Sequence, residues 1–83
     1  MFEIPSPTEL RDFLRRNEMT GSAAARIVGV DSRTVRKWTA YDDASNRRAI
    51  PWSAWILLRL YAGDLELDDY RRMVLREAGE TDR

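Results

Sequence analysis

The residues best suited to chemistry lie at positions 31–38, in the stretch DSRTVRKW. At helical spacing, Val35 and Trp38 fall on one apolar face. The opposite face carries a strip of polar and basic side chains: Ser32, Arg33, Arg36 and Lys37. A helix that presents such a strip to a major groove places side chains against base edges and phosphates. The alternative is that these side chains are ordinary solvated surface.

Two residue types are absent, and their absence excludes most enzymatic chemistry. The sequence has no Cys, so it offers no thiol nucleophile, disulfide or thiolate metal site. It has no His, so it lacks an imidazole base or ligand. The adjacent carboxylates Asp42-Asp43 and Asp68-Asp69 are interpreted as turn and helix-start residues, because neither pair has a convergent third ligand for Mg²⁺. We therefore expect a protein that is not an enzyme and needs no metal, cofactor or small-molecule ligand.

Length and charge favour one small binding domain. The chain has 83 residues, which allows a single domain over 1–83. The net charge is zero, but residues 31–59 hold six basic and three acidic residues, and residues 60–83 hold four and seven. This segregation favours one surface that faces a polyanion, with ordinary surface charge as the alternative. No membrane span or secretory leader is visible, so a cytoplasmic protein is expected.

Capping residues and apolar spacing predict an all-α fold of five helices. The first is predicted to start at Ser6-Pro7, to end at Asn17-Glu18, and to keep charged residues such as Arg11 mostly outside. A polar stretch, residues 39–49, separates the third helix from the fourth. The other predicted helices run from Thr20 to Gly29, from just after Asp31 to Trp38, from Trp52 to Ala62 and from about 68 to 78.

Residues 20–38, TGSAAARIVGVDSRTVRKW, have the pattern of two short helices joined by the turn Gly29-Val30-Asp31. Ala25 is small where the two helices are predicted to pack closest. Gly29 is placed where the turn favours a positive φ, which costs a residue with a Cβ about 1–2 kcal/mol. The side chains expected to fill the space beneath both helices are Val28, Val30, Val35 and Trp38.

This stretch resembles the helix-turn-helix of the Cro and phage-repressor (XRE-like) family. The family pattern corresponds here to Ala25, Gly29, Val30, Thr34-Val35 and Trp38. The resemblance covers about residues 10–62 and is greatest to short repressors of plasmids, conjugative elements and phages, including KorC-type repressors and anti-CRISPR-associated autoregulators. It implies a five-helix, lambda-repressor-like domain and a sequence-specific transcriptional regulator, most often a repressor or autorepressor, that occupies a double-stranded DNA operator.

Two sets of residues are predicted to contact DNA. The residues assigned to base readout are Ser32, Arg33 and Arg36. Those assigned to phosphates are Ser22, Thr34, Lys37, Arg47 and Arg48. The family often has Gln at the start of the first motif helix, and here Ser22 and the helix-start amides are expected to serve instead. Arg47 and Arg48 either clamp the DNA backbone or are solvated loop residues.

The fourth and fifth helices favour a homodimer on an inverted-repeat operator. Between Trp52 and Ala62 only Ser53 and Arg59 are strongly polar, so this helix is central or is covered on a second side. A symmetric dimer would present two recognition helices to half-sites about 10 base pairs apart. The predicted interface residues are Leu57, Leu65, Leu67, Tyr70, Met73 and Val74. The alternative is that the fifth helix closes the monomer core.

A second functional class uses the same fold for protein contacts, as an antitoxin or a polymerase-binding module. Such a partner surface would require apolar or aromatic residues where this sequence has a basic strip. The strip therefore favours DNA.

Overall fold

The computed structural model describes residues 3–40 and 48–78, and every regular element within those ranges is an α-helix. The helices are α1 (Pro7–Arg16), α2 (Gly21–Val28), α3 (Ser32–Trp38), α4 (Trp52–Ala62) and α5 (Leu67–Ala78). The expected all-α class and five helices are confirmed, and α5 begins at Leu67, next to its predicted start. Arg47 and the Asp42-Asp43 pair lie outside the described residues.

Side-chain caps fix the starts of α1, α2 and α3. The Ser6 hydroxyl accepts a hydrogen bond from the Glu9 N–H at 3.1 Å, and the Glu9 carboxylate accepts one from the Ser6 N–H at 2.8 Å. This reciprocal pair is a capping box. The Thr20 hydroxyl accepts from Ala23 N–H at 3.0 Å, and Asp31 caps α3 in the same manner. Local hydrogen bonds therefore define where the sequence enters each helix.

Glycines in the left-handed conformation end α2 and α4. Gly29 and Gly63 both have a φ of +80°, which confirms the positive φ predicted at Gly29. The N–H groups of Gly29 and Val30 both donate to the carbonyl of Ala25, at 2.8 and 3.0 Å. A Cβ added to Gly29 would meet no atom within 4 Å. Glycine is favoured there for its backbone freedom and not for lack of space.

The core lies among α1 to α4. Helix α2 packs against both α3 and α4, and its Ala24 and Ala25 are buried at the contact. Their small side chains allow the close approach that the sequence predicted. Phe13 of α1 meets Trp55 of α4 edge to face, with ring centroids 4.9 Å apart. The buried members of this cluster are Leu10, Phe13, Leu14, Ala24, Ala25, Val35, Trp38, Ile50, Ala54 and Leu58.

Helix α5 contacts the first residue of α4 near its own N-terminal end. Tyr70 stacks on Trp52, the first residue of α4, with ring centroids 6.1 Å apart. Leu65, in the turn before α5, is buried. The rest of α5 is mostly exposed. None of the helices in the described ranges is long and apolar enough to cross a membrane.

Candidate nucleic-acid interface

Helix α3 has one face in the core and one face in solvent. Val35 and Trp38 are 2% and 5% exposed, whereas Arg33 and Arg36 are exposed. Ser32 and Lys37 lie between these extremes. The helix contains three cationic side chains and no acid. Its outer face therefore carries a positive charge. Its inner face holds the helix against the core.

An open groove beside α3 brings several predicted contact residues together. The groove runs between α1, the start of α2 and α3, and its wall includes Ser22, Ser32 and Arg36. These three residues come from two helices, so the turn at Gly29 sets their spacing. Arg11 and Arg15 of α1 line the other side of the groove. The floor of the groove is apolar and includes Leu14, Met19 and Val35. The hydroxyls of Ser22 and Ser32 and the guanidinium of Arg36 are the predicted DNA contacts that it brings together.

Two further predicted phosphate residues meet at the other end of α3. The N–H of Arg48 donates to the carbonyl of Lys37 at 3.2 Å, and Arg48 is exposed. At residue 48 the chain therefore lies against the end of α3. This contact places Arg48 beside Lys37 at the C-terminal end of the helix.

Asp31 is the acid next to this basic face, and its environment favours the ionised form. Its Oδ1 accepts a hydrogen bond from the Thr34 N–H at 3.1 Å. This bond, aided by the charge of Arg33, lowers the pKa of Asp31 from its ordinary value of 3.8. The Thr34 hydroxyl also points to Oδ1, at 3.5 Å. The Thr34 N–H therefore serves the helix cap, whereas its hydroxyl, at the outer limit of hydrogen-bond distance from Oδ1, can still turn to a phosphate.

The predicted dimer residues differ in how much surface they present. Leu57, Leu67 and Val74 are 44%, 52% and 38% exposed, and Tyr70 and Met73 are partly exposed. Leu65 is only 8% exposed, because it packs inside its own chain, and it offers little area to a partner.

Two exposed apolar residues of α4 and α5 are missing from the predicted dimer residues. Tyr61 is 69% exposed and Leu75 is 64% exposed. Helical spacing could have identified both, because Tyr61 follows Leu57 by four positions and Leu75 follows Leu67 by eight.

Arg11 is the residue whose placement sequence reasoning missed. It was expected mostly outside, but it is only partly exposed. Its Nη1 donates a hydrogen bond to the carbonyl of Thr39, the residue that caps the end of α3. The periodicity of α1 did not predict this contact, because the partner is a backbone atom 28 positions away.

No family model matches the chain. Two relatives, each named transcriptional repressor protein KorC and each from Escherichia coli, match it over 62 residues. One is 40% identical and the other 39%, and both matches cover 71% of this chain and 67% of the relative. This similarity extends over about two thirds of each protein. The chain therefore belongs to the family of KorC transcriptional repressors.

Proposed function

We propose that this chain is a sequence-specific transcriptional repressor that reads an operator with α3. The observation that carries the proposal is the division of α3 into two faces. Val35 and Trp38 hold one face in the core, and the other face presents Arg33 and Arg36 to solvent with no acid on the helix. The names of the KorC relatives support a repressor role. Occupancy of an operator that overlaps a promoter, the gene's own included, would exclude RNA polymerase.

The proposed DNA-binding unit is a helix-turn-helix made of α2, the turn at Gly29 and α3, within a lambda-repressor-like domain of the XRE type over 1–83. The positive φ of Gly29 and the buried Ala25 support this assignment, because both allow two short helices to cross closely. In such a unit the second helix enters the major groove and the first lies across the DNA backbone.

Base readout is assigned to Ser32, Arg33 and Arg36. An arginine guanidinium donates two parallel hydrogen bonds to the O6 and N7 acceptors of guanine. Both arginines are exposed on the outer face of α3, and Ser32 lies in the groove beside Arg36. A hydroxyl at that position donates to or accepts from either kind of base edge.

Phosphate contacts are assigned to Ser22, Thr34, Lys37, Arg47 and Arg48. Ser22 lies in the first turn of α2 and lines the groove. Lys37 and Arg48 are joined through their backbones at the far end of α3. Contacts on both sides of a recognition helix fix its register on the duplex. These contacts weaken as the salt concentration rises, because the Lys and Arg side chains release counterions from the DNA when they bind, and that release is less favourable at high salt.

Dimerisation is assigned to the exposed apolar residues of α4 and α5, which would pack against the same residues of a second copy of this chain. We call this surface the α4–α5 surface and define it by six residues: Leu57, Tyr61, Leu67, Tyr70, Val74 and Leu75. Exposed apolar residues on two consecutive helices are typical of a protein interface. A twofold axis through this surface would present two copies of α3 to an inverted repeat. If this surface instead bound a different protein, the chain would be an interaction module such as an antitoxin or a polymerase-binding protein.

The proposed function is tested by selection of bound duplexes from a randomised DNA library. We expect enrichment of an inverted repeat whose half-sites are about 10 base pairs apart. Affinity for the enriched duplex should fall steeply with salt. Arg72→Ala is the control for loss of a positive charge away from α3. Arg72 is an exposed residue of α5 and pairs with Asp69 at 2.5 Å. The control should bind like the parent, and failure to enrich any sequence would contradict the proposal.

A further inference from the structure

We propose that Arg11 is a positioning residue for DNA recognition, because it ties α1 to the end of α3. The inference rests on the proposed function of α3. Arg11 Nη1 donates to the carbonyl of Thr39, and its Nη2 donates to the hydroxyl of Thr8 at 3.3 Å. The fork of the guanidinium thus joins the first turn of α1 to a backbone atom just beyond α3. Guanidinium donors are suited to this geometry because the fork is planar and rigid.

The contact continues through Thr39 into α3. The Thr39 N–H and hydroxyl both donate to the carbonyl of Val35, at 3.1 and 3.2 Å. The same hydroxyl lies 3.3 Å from the carbonyl of Arg36. A hydrogen-bond path therefore runs from Arg11 to the residue proposed to read a base. A displacement of Thr39 would change the orientation of the last turn of α3.

Electrostatics favour the same arrangement. A helix carries partial negative charge at its C-terminal end, and a cation there is stabilising. Arg11 supplies that cation from another helix, and charge-assisted hydrogen bonds are roughly twice as strong as neutral ones. Helix α3 has only seven residues and buries only Val35 and Trp38. Such a short helix depends on contacts at its ends to keep its orientation.

Arg11 also lines the groove that contains Ser22, Ser32 and Arg36. A direct contact between Arg11 and a phosphate would affect DNA binding too, so the test must separate that role from positioning. A lost phosphate contact weakens all duplexes alike and makes the salt dependence shallower. A lost positioning contact lowers affinity for the preferred sequence and leaves the salt dependence unchanged.

The test compares Arg11→Met with Arg15→Met. Both variants remove one cation and keep most of the side chain's length. Arg15 lines the same groove but pairs with Asp12 of its own helix at 2.6 Å. We measure the affinity of each variant for the duplex selected by the parent and for a scrambled duplex, over a range of salt concentrations. Amide hydrogen exchange at Thr39 is measured in the free protein.

Arg11→Met should bind the selected duplex about tenfold more weakly, the size expected from loss of one hydrogen bond to a charged donor. Its affinity for the scrambled duplex and its salt slope should stay close to the parent's. Exchange at Thr39 should be faster than in the parent. Arg15→Met should preserve both the preference for the selected duplex and the exchange rate. Arg11→Lys keeps the charge and one donor but loses the planar fork, so its preference and its exchange rate at Thr39 should lie between those of Arg11→Met and the parent.

Three results would overturn the positioning role: unchanged preference in Arg11→Met, an equal loss on both duplexes with a shallower salt slope, or unchanged exchange at Thr39. Should Arg11→Met fail to fold, the same measurements on Arg11→Lys decide, with an intermediate preference and intermediate exchange expected. If the parent selects no duplex, the proposed function fails. The exchange data then still show whether Arg11 orders the end of α3.

Discussion

The turn at Gly29 allows a quantitative test of how α2 and α3 are held. Gly29 has a φ of +80° and a ψ of 32°, a conformation that costs a residue with a Cβ about 1–2 kcal/mol. A Cβ there would meet nothing within 4 Å, so Gly29→Ala adds no steric clash to this cost. Alanine also restricts the unfolded chain, which offsets about 0.4–1 kcal/mol. The expected net loss of stability is therefore about 1 kcal/mol.

The matched control for Gly29→Ala is Gly63→Ala. Gly63 has the same φ of +80° and equally open surroundings, but it ends α4. In thermal unfolding followed by circular dichroism, each variant should melt about 4–8 °C below the parent. Gly29→Ala should weaken binding to the selected duplex more than Gly63→Ala does, because the turn at Gly29 sets the crossing of α2 and α3.

Two further substitutions at Gly29 check the reasoning. Asn tolerates the left-handed conformation, so Gly29→Asn should lose less stability than Gly29→Ala. Gly29→Val adds a β-branch and should cost more, roughly 1–3 kcal/mol. An unchanged melting temperature in both the Ala and the Val variants would refute the conformational argument.

Three other predictions address the cap of α3, the core and the dimer. Because the folded-state pKa of Asp31 is lowered, its stabilising contribution is present above the ordinary value of 3.8 and is lost as the pH falls through the folded-state pKa. The free energy of unfolding should therefore depend less on pH in the acid range in Asp31→Asn, which keeps a capping side chain, than in the parent. An unchanged pH dependence would contradict the assignment. Ala25→Leu should destabilise the fold by about 1–3 kcal/mol in urea unfolding through overpacking, since Ala25 is 3% exposed, and parental stability would show spare room. Leu75→Glu should change the stability of the chain itself by less than about 0.5 kcal/mol yet shift sedimentation from dimer to monomer, whereas a parent that sediments as a monomer would refute the dimer.

The helices could be predicted from sequence because their boundaries are set locally. Ser6, Thr20 and Asp31 cap helices through hydrogen bonds to N–H groups three residues away, and Gly29 ends α2 through its own backbone conformation. Each signal is complete within a few residues of sequence. The inward positions of α3 followed for the same reason, because a helical period leaves only one face for Val35 and Trp38.

The contacts that depend on tertiary packing could not be predicted from the sequence in the same way. Arg11 has the sequence context of a solvated residue on α1, and only the fold brings Thr39 within its reach. Leu65 follows the apolar pattern of its neighbours, yet it packs inside the chain while Leu67 and Leu75 remain exposed. Periodicity identifies an apolar face, but it does not show whether the same chain or another one covers that face.

The central claim, that α3 reads bases, is tested most directly by affinities of Arg33→Ala and Arg36→Ala for the selected duplex and for its single-base-pair variants. Each substitution should cost about 1–3 kcal/mol on the selected duplex, and each should relax discrimination at one base pair while leaving the others in force. If both variants bind the selected duplex as tightly as the parent and keep its full pattern of base preferences, α3 is not the reading helix.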